Sequence, residues 1–490
     1  MKLKENLLLG MCGVAATCSL PQSIVGQVQQ VNKKPNVVLI FVDDMGYGDL
    51  SSYGAVQYKT PNLDRMAAQG VRFTNFYAVQ AVCSASRAGI LTGCYPNRVG
   101  ISGALFPNSK IGLNPEEELI PELLKKQNYQ TAAIGKWHLG DAPPFLPLQQ
   151  GFDQYLGLPY SNDMWPVNYD GTPVTADNNQ RNLNFPPLPL IRGNEKIREI
   201  KTLDDQAELT GIYTQEAVKF IKENKAKPFF LYLAHSMPHV PLAASDKFKG
   251  KSGQGLYGDV IMEIDWSVGQ ILNTLKEAGL SENTLVIFTS DNGPWINFGN
   301  HAGSTAGLRE GKGTSYEGGQ RVPCLMTWPG VIPTGSINNK LACTIDILPT
   351  LAQITGAALP EKKIDGVDIS ALMKGDSLAN PRKILYYYYK KNSLEAVRDE
   401  RWKLVLPHPT QSYEGQMPGK DGFPGKIGQR AAGLALYDLR RDPGERYDVK
   451  ELYPEIVESL SILADQARED LGDDIMKVEG KNVRRAEQVE

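Results

Sequence analysis

The sequence is poor in several things, and each shortage removes a class of function. It has no cationic excess: 52 Lys and Arg stand against 55 Asp and Glu, a formal net charge of −3 over 490 residues. No basic run appears, so a nucleic-acid surface is not expected. Beyond the N-terminus, no apolar run is long enough to cross a bilayer as a helix. Cysteine is scarce, six in all. The four that lie beyond the first turns of the chain (Cys83, Cys94, Cys324 and Cys343) show no C-x-x-C spacing, which excludes a zinc site and a dense disulfide framework. Histidine is scarcer still, with five, so where the histidines fall carries weight. There are no internal repeats. With a near-neutral charge balance, an anionic substrate has to be met by local cations and not by the whole surface.

What is present begins with Met1-Lys2-Leu3-Lys4, an apolar run from Leu7 to Ala16, and then small and polar residues. This pattern predicts an export signal over residues 1–26, too short to span a membrane. Cleavage after Thr17 would leave Cys18 for lipid attachment; cleavage near Gly26 would not. Ala15 stands where a lipid-attachment motif usually carries a larger aliphatic residue. The expected location is therefore exported, periplasmic or at the cell surface, with Cys18 a candidate lipoprotein anchor. In such a compartment a free catalytic thiol tends to oxidise.

The segments PNVVLIFVDD, YQTAAIGKW, PFFLYLAH and TLVIFTSDNG are continuous apolar runs, as in strands buried on both faces. Between them lie helical patterns, IPELLKKQ, TGIYTQEAVKFIKEN and GDVIMEIDWSVGQILNTLKEAG. This alternation predicts an α/β domain over residues 33–370, with a mostly parallel sheet between helices. Ligand sites in such sheets lie beyond the carboxyl ends of the strands. From about residue 360 the texture becomes polar and turn-rich. Residues 371–490 then read as a smaller α+β subdomain with antiparallel strands and a helix from about Pro454 to Leu471. Four glycines at three-residue spacing, Gly419 to Gly428, are too few for a collagen segment and mark a loop.

Four acidic and amide residues sit at strand ends: Asp43-Asp44 after one strand, Asp291-Asn292 after another. Either pair alone suits a helix cap. Together they supply three carboxylates and an amide oxygen, a hard-oxygen set fit for Ca²⁺ or Mg²⁺ and not for zinc. GKWHLG places Lys136 and His138 two residues apart at a third strand end. AHSMPHVP offers His235 and His239 after a fourth, and a glycine-flanked loop carries Lys312. In AVCSASRAGILTG, Cys83 precedes a polar first helical turn with Arg87 one turn on. A buried cysteine is ordinarily a small hydrophobe, but that polar turn is more than a packing role needs.

These segments resemble the type I sulfatases. Cys83-Ser84-Ala85-Ser86-Arg87 matches the family signature C-x-[PA]-S-R, and GILTG follows it as usual. DD, GKWHLG, MPHVP, SDNG and GKGTSYEGGQRVP match further family blocks in family order between residues 35 and 330, and LYDLRRDPGE matches the C-terminal part. The relatives named by this texture are arylsulfatase A-like and N-acetylgalactosamine-sulfatase-like.

The resemblance implies an alkaline-phosphatase-like fold and sulfate-ester hydrolysis. It implies that a maturation enzyme oxidises Cys83 to formylglycine, whose hydrate is the nucleophile, with Ala85 in place of the commoner Pro. A metal held by Asp43, Asp44, Asp291, Asn292 and the matured Cys83, Ca²⁺ in preference to Mg²⁺, would activate the nucleophile and bind a sulfate oxygen. Arg87 would anchor the hydrate and the carboxylates, and Lys136 and Lys312 would neutralise sulfate oxygens. His239 is the implied acid for the leaving oxygen, and His138 the base that collapses the covalent intermediate. Ser161 matches a family position that touches sulfate, whereas His235 reads as a packed strand-end histidine.

Two rivals remain at this stage. A phosphodiesterase or phosphonate hydrolase would call for a second set of metal ligands, which the sequence does not offer. An inactive glycan-binding relative would be expected to lose the nucleophile or a metal ligand. The expected substrate is an O-sulfate on a terminal galactose or N-acetylgalactosamine of a sulfated glycan. Two variable segments are expected to choose the sugar: PYSNDMWP, with Asn162, Asp163 and Trp165, and GPWINFGNHAGSTAGLRE, with Trp295, His301 and Arg309. An aromatic face to stack on and polar groups for hydroxyls suit a carbohydrate.

Overall fold

Ten strands build one sheet: β1 (Asn36–Val42), β2 (Val71–Phe73), β3 (Gln130–Gly135), β4 (Gln154–Gly157), β5 (Leu188–Arg192), β6 (Glu195–Ile200), β7 (Phe229–Ala234), β8 (Thr284–Ser290), β9 (Cys324–Thr327) and β10 (Ser336–Asn338). Their order is β10-β2-β9-β8-β1-β7-β3-β4-β5-β6. The structure is a computed structural model and describes residues 34–489. The expected export signal and Cys18 lie outside the described residues. Among those described, no helix is long and apolar enough to cross a membrane.

The five central strands, β8-β1-β7-β3-β4, are parallel. The continuous apolar runs have the predicted cause. In β1, Val38, Ile40 and Val42 join the core on one face, while Val37, Leu39 and Phe41 join the core on the other. Side chains alternate across a strand, so a strand covered on both faces must be apolar at every position. The register pairs Val42 with Ser290 and Gly135 with Ala234, so the central strands end nearly level and their following residues converge.

Helix α1 (Cys83–Thr92) is buried along its whole length. Its small residues allow this: a Cβ on Gly89 would lie 2.4 Å from a methyl of Val79. Gly93 ends the helix with a positive φ of 68° and an N–H bond to the Gly89 carbonyl, a left-handed cap that glycine adopts without strain. Helices α2 (Leu209–Glu223) and α3 (Gly255–Glu277) cover the opposite face of the sheet.

The C-terminal part holds a second, antiparallel sheet of β11 (Leu385–Tyr389), β12 (Ser393–Arg398), β13 (Trp402–Val405) and β16 (Ala435–Asp438), and a hairpin of β14 (His408–Ser412) and β15 (Gly428–Ala432). Helix α4 (Pro454–Leu471), with the bounds expected from sequence, packs on that sheet through Leu460, Ala464, Ala467 and Leu471. The same apolar cluster takes in Tyr77, Val79, Tyr95 and Tyr316 from the first part of the chain. Buried Lys403 in β13 bridges Glu317 at 3.3 Å and Glu445 at 2.8 Å. Residues from Lys34 onward form one compact unit, and the second sheet, which follows the change of texture near residue 370, packs in a cluster that also draws on the first part of the chain.

Candidate active site

Four strand ends and one helix start meet around Cys83. Asp43 and Asp44 follow β1, Asp291 and Asn292 follow β8, Lys136 follows β3, and His239 lies five residues beyond β7. Cys83 is the first residue of α1, and Arg87 shares its face one turn later. Ser84 explains part of the polar first turn: its Oγ accepts a hydrogen bond from the Leu105 N–H at 3.0 Å.

The charges interlock. Arg87 donates to Asp291 at 2.8 Å and to the Lys136 carbonyl at 3.2 Å, and lies 3.6 Å from Asp43. Lys136 pairs with Asp43 and donates to Ser161 Oγ at 3.1 Å. Lys312 pairs with Asp44 at 2.7 Å, and its Nζ lies 3.3 Å from Cys83 Sγ. Three cations thus face three carboxylates, all buried. Burial raises the Asp43 carboxyl, but the neighbouring cations, Lys136 foremost and then Arg87 and Lys312, outweigh it and hold it well below the usual carboxylate range. Burial and the neighbouring Asp43 charge push Asp291 the other way, up to about 7. The Cys83 thiol is raised by burial despite Lys136 and Lys312, so as a thiol it is a poor nucleophile at neutral pH.

Asp44 and His138, both in the site, sit in the left-handed backbone region. Asp44 has φ 63° and His138 φ 62°, a conformation side chains other than glycine adopt at a cost and which gathers at functional sites. His138 Nε2 lies 2.8 Å from the Leu105 carbonyl, which only an N–H can satisfy, and its Nδ1 is buried without a partner. That fixes a tautomer with a bare Nδ1. Burial, with Lys136 and Arg87, holds the ring pKa well below its ordinary value, so His138 is a neutral proton acceptor. His239 donates from Nδ1 to the Val240 carbonyl, and its Nε2 lies 3.5 Å from Asp44. Burial and Lys312 lower its pKa while Asp44 and Asp43 raise it in part.

A metal ion fits the donor set. Ligand atoms of Asp43, Asp44, Cys83 and His239 lie within 4.8 Å of one another. Asp291 touches this group through Oδ1, which accepts from the Asp44 N–H at 3.0 Å. Asn292 Nδ2 donates to Asp44 at 2.7 Å while its Oδ1 is buried with no partner. A buried carbonyl oxygen without a donor is costly, and a cation beside it removes that cost. The donors are mainly hard oxygens, suited to Ca²⁺ or Mg²⁺.

A cavity of about 600 Å³ opens over Cys83, His138, Ser161, His239 and Lys312, with Asp163 and Trp295 on its wall. Trp295 also covers Lys312, its ring centre 4.7 Å from Nζ. The other expected sugar-contacting residues fall elsewhere. Asn162 is fully buried and bonds Gln206 Oε1 and the carbonyls of His239 and Pro241; it braces the His239 segment. Trp165 is core. His301 lies outside the cavity wall, half-buried near Gly422. Arg309 reaches Tyr437 and the Glu445 carbonyl and stacks on Tyr316, bracing the two sheets. His235 meets Ser267 on α3, away from the cavity. The cavity also takes in Arg181, Phe106, Tyr389 and Gln411, which carry no motif; their neighbours in space are distant in sequence.

Similarity to known proteins agrees with this geometry. A sulfatase family profile matches residues 35–357, and profiles for the C-terminal region of aryl-sulfatase and the C-terminal part of N-sulphoglucosamine sulphohydrolase match residues 380–488 and 311–414. Arylsulfatase A of Homo sapiens is 38% identical over 446 residues, 88% of this chain and 87% of that protein. An N-acetylgalactosamine-6-O-sulfatase of Bacteroides thetaiotaomicron is 33% identical across 96% of this chain and 100% of that protein. The crystal structure of the PsFucS1 sulfatase from Pseudoalteromonas sp. superposes with a TM-score of 0.79 at 30% identity, covering 89% of this chain and 90% of that one.

Proposed function

Since the chain belongs to the sulfatase family, with its alkaline-phosphatase-like fold, and is a sulfuric ester hydrolase, we propose that it removes an O-sulfate from a terminal galactose or N-acetylgalactosamine of a sulfated glycan. The reading includes Cys83 matured to formylglycine and one Ca²⁺ ion. The observation that carries it is the ring of Lys136, Lys312, Arg87, His138 and His239 around Cys83 at the floor of a cavity with an aromatic and a carboxylate on its wall. Relatives named for N-acetylgalactosamine-6-sulfate support the choice of sugar.

Asp43, Asp44, Asp291 and Asn292 would hold the ion, together with the matured Cys83 side chain. Bound there, a calcium ion offsets the clustered carboxylates and polarises a sulfate oxygen. Lys136, with Ser161, and Lys312 neutralise sulfate oxygens from either side. The first amides of α1 add positive potential at the same place. Arg87 holds Asp291 and Asp43 in position through its fixed fork. The bare Nδ1 of His138 takes a hydroxyl proton from the matured Cys83. His239 gives a proton to the leaving sugar oxygen; it lies neutral beside Lys312, and the negative charge of a bound sulfate raises its pKa toward the protonated form.

Cys83 is almost fully buried, so the maturation enzyme that is its expected partner acts before the chain closes over it. The N-terminal pattern supports an exported protein, periplasmic or at the cell surface.

The test is a panel of monosulfated sugars given to purified, matured protein, with phosphate monoesters and diesters alongside. Sulfate release from galacto-configured sugars is expected. Activity confined to sulfated glucosamine, uronic acid or synthetic aryl sulfates ends the sugar assignment, and faster phosphate-ester turnover favours the phosphodiesterase reading.

A further inference from the structure

Where the second sheet meets the hairpin of β14 and β15, two buried proton acceptors face each other. Glu395 stands in β12 and His408 opens β14. Oε2 of Glu395 lies 3.2 Å from Nε2 of His408, and each side chain is 1% exposed. His408 Nδ1 is 2.7 Å from the Leu406 carbonyl, which only an N–H can satisfy, so Nδ1 carries the hydrogen and Nε2 is bare in the neutral ring. Apart from each other, neither Nε2 nor Oε2 has a partner among the described residues. Two bare acceptors at this distance in a dry interior repel, and one proton between them makes the contact a strong hydrogen bond.

The groups around the pair do not replace that proton. Nζ of Lys403, from β13, is held by Glu317 and Glu445. Lys390, in the turn between β11 and β12, donates to the Pro409 carbonyl at 3.4 Å. Ser315, Tyr389 and Asp473 complete the polar surroundings. Burial pushes the Glu395 carboxyl up to about 7, with Asp473 and against Ser315, Lys390 and Lys403. Burial, with Lys390 and Lys403, lowers the His408 ring.

The pair touches the Lys312 loop by two routes. Gln411 and Tyr413 follow His408 along the hairpin and donate to the Lys312 carbonyl at 2.9 and 2.5 Å. Ser315, three residues past Lys312, lies beside the Glu395 carboxyl. We propose that Glu395 and His408 share one proton and are positioning residues for Lys312, which the hairpin aims at Cys83. When the proton leaves, a buried carboxylate faces a bare imidazole nitrogen, the hairpin loosens from β12, and the grip on the Lys312 carbonyl weakens. Between the ordinary carboxyl value of 4.5 and the ordinary imidazole value of 6.5, the unfolded chain also holds one proton on these two groups. Above 6.5 only the folded chain holds it, so stability falls as pH rises until the folded pair releases its proton.

Glu395→Gln tests this, because its amide offers Nε2 an N–H at every pH. In urea titrations from about pH 6.5 to about pH 8.5, the wild type should lose stability relative to Glu395→Gln. Over the same range, the ratio of variant to wild-type kcat on a sulfate ester should rise about fivefold, the worth of one orphaned buried acceptor. Histidine-labelled wild type gives a nuclear magnetic resonance reading that needs no Glu395 variant. The His408 Nε2 signal, identified by its loss in His408→Gln, should move across the same range. The role of Lys312 rests on the proposed function, which sulfate release by the wild type at about pH 6.5 checks separately. A His408 signal unmoved from about pH 5 to about pH 9 overturns the shared proton, as do parallel stability curves for wild type and Glu395→Gln. A flat kcat ratio overturns the positioning of Lys312.

Discussion

The hydroxyl of Tyr413, just beyond β14, donates a hydrogen bond of 2.5 Å to the backbone carbonyl of Lys312. Gln411 Nε2 donates to the same carbonyl at 2.9 Å. On the other side, Glu310 accepts from Ser412 Oγ at 2.6 Å and from the Tyr413 N–H at 2.7 Å. The C-terminal hairpin thus clamps the loop that aims Lys312 at Cys83. Tyr413→Phe keeps the ring and removes one donor, a loss on the order of 1 kcal/mol. The expected result is a fall in kcat of about fivefold at nearly unchanged thermal stability. A drop in melting temperature with kcat intact would assign Tyr413 to packing alone.

Metal removal is the second test. Exhaustive chelation should abolish sulfate release and lower the thermal midpoint, and Ca²⁺ should restore both, because an ion that binds only the folded site stabilises it by mass action. Asp291→Asn should weaken Ca²⁺ binding and also free Arg87, which holds Asp291 at 2.8 Å. Activity that survives chelation would contradict the metal assignment, as would zinc in the site.

Asp49 gives a pH-dependent prediction away from the chemistry. Its carboxyl is buried, which pushes its pKa up to about 6 although Tyr257, Ser304 and Gly46 donate to it. The unfolded chain ionises near 3.8. Between those values the folded state keeps a proton that the unfolded state has lost, so stability falls as pH rises from about 4 to 6 and then levels off. A shift of two units corresponds to about 3 kcal/mol. Asp49→Asn should remove that slope. Denaturant titrations at several pH values should therefore show the two proteins diverging across this window, and parallel curves would refute the account.

Lys403 carries the joint between the two sheets. Lys403→Met takes away the cation that sits between buried Glu317 and Glu445, leaving Glu317 the more distant Arg321 at 3.8 Å and Glu445 unpaired. Breaking a buried pair in this way costs about 3–5 kcal/mol, so a large loss of stability is expected in chemical denaturation. A variant as stable as the parent would show that the joint does not depend on this charge.

The sequence made the centre of the molecule readable and left its rim obscure. Strands such as β1, apolar at every position, announce a sheet covered on both faces, and the polar residues at their ends announce the site. The signature from Cys83 to Arg87 is local because one helical turn brings those two residues to one face. The sugar-contacting wall is different. Asn162 and Asp163 are neighbours in sequence, yet one braces the His239 segment and the other faces the cavity, and no local pattern separates the two. His301 and Arg309 share a loop with Lys312, but tertiary contacts turn them toward Gly422 and Tyr316. Arg181, Phe106 and Gln411 reach the cavity from three separate segments, so only the folded chain reveals them as a group. The division near residue 370 was visible as a change of texture, while the apolar cluster that crosses it was not.

The most direct measurement of the central claim is peptide mass spectrometry of the Cys83 segment from protein that is turning over sulfate esters. The account predicts a fraction in which the CH₂–SH side chain has become an aldehyde, losing sulfur and two hydrogens and gaining one oxygen, with activity rising in proportion to that fraction. Cys83→Ala should be inactive and folded, since alanine is small and suits a helix start. Active protein carrying only the unmodified thiol at Cys83, or a Cys83→Ala variant that still releases sulfate, would contradict it.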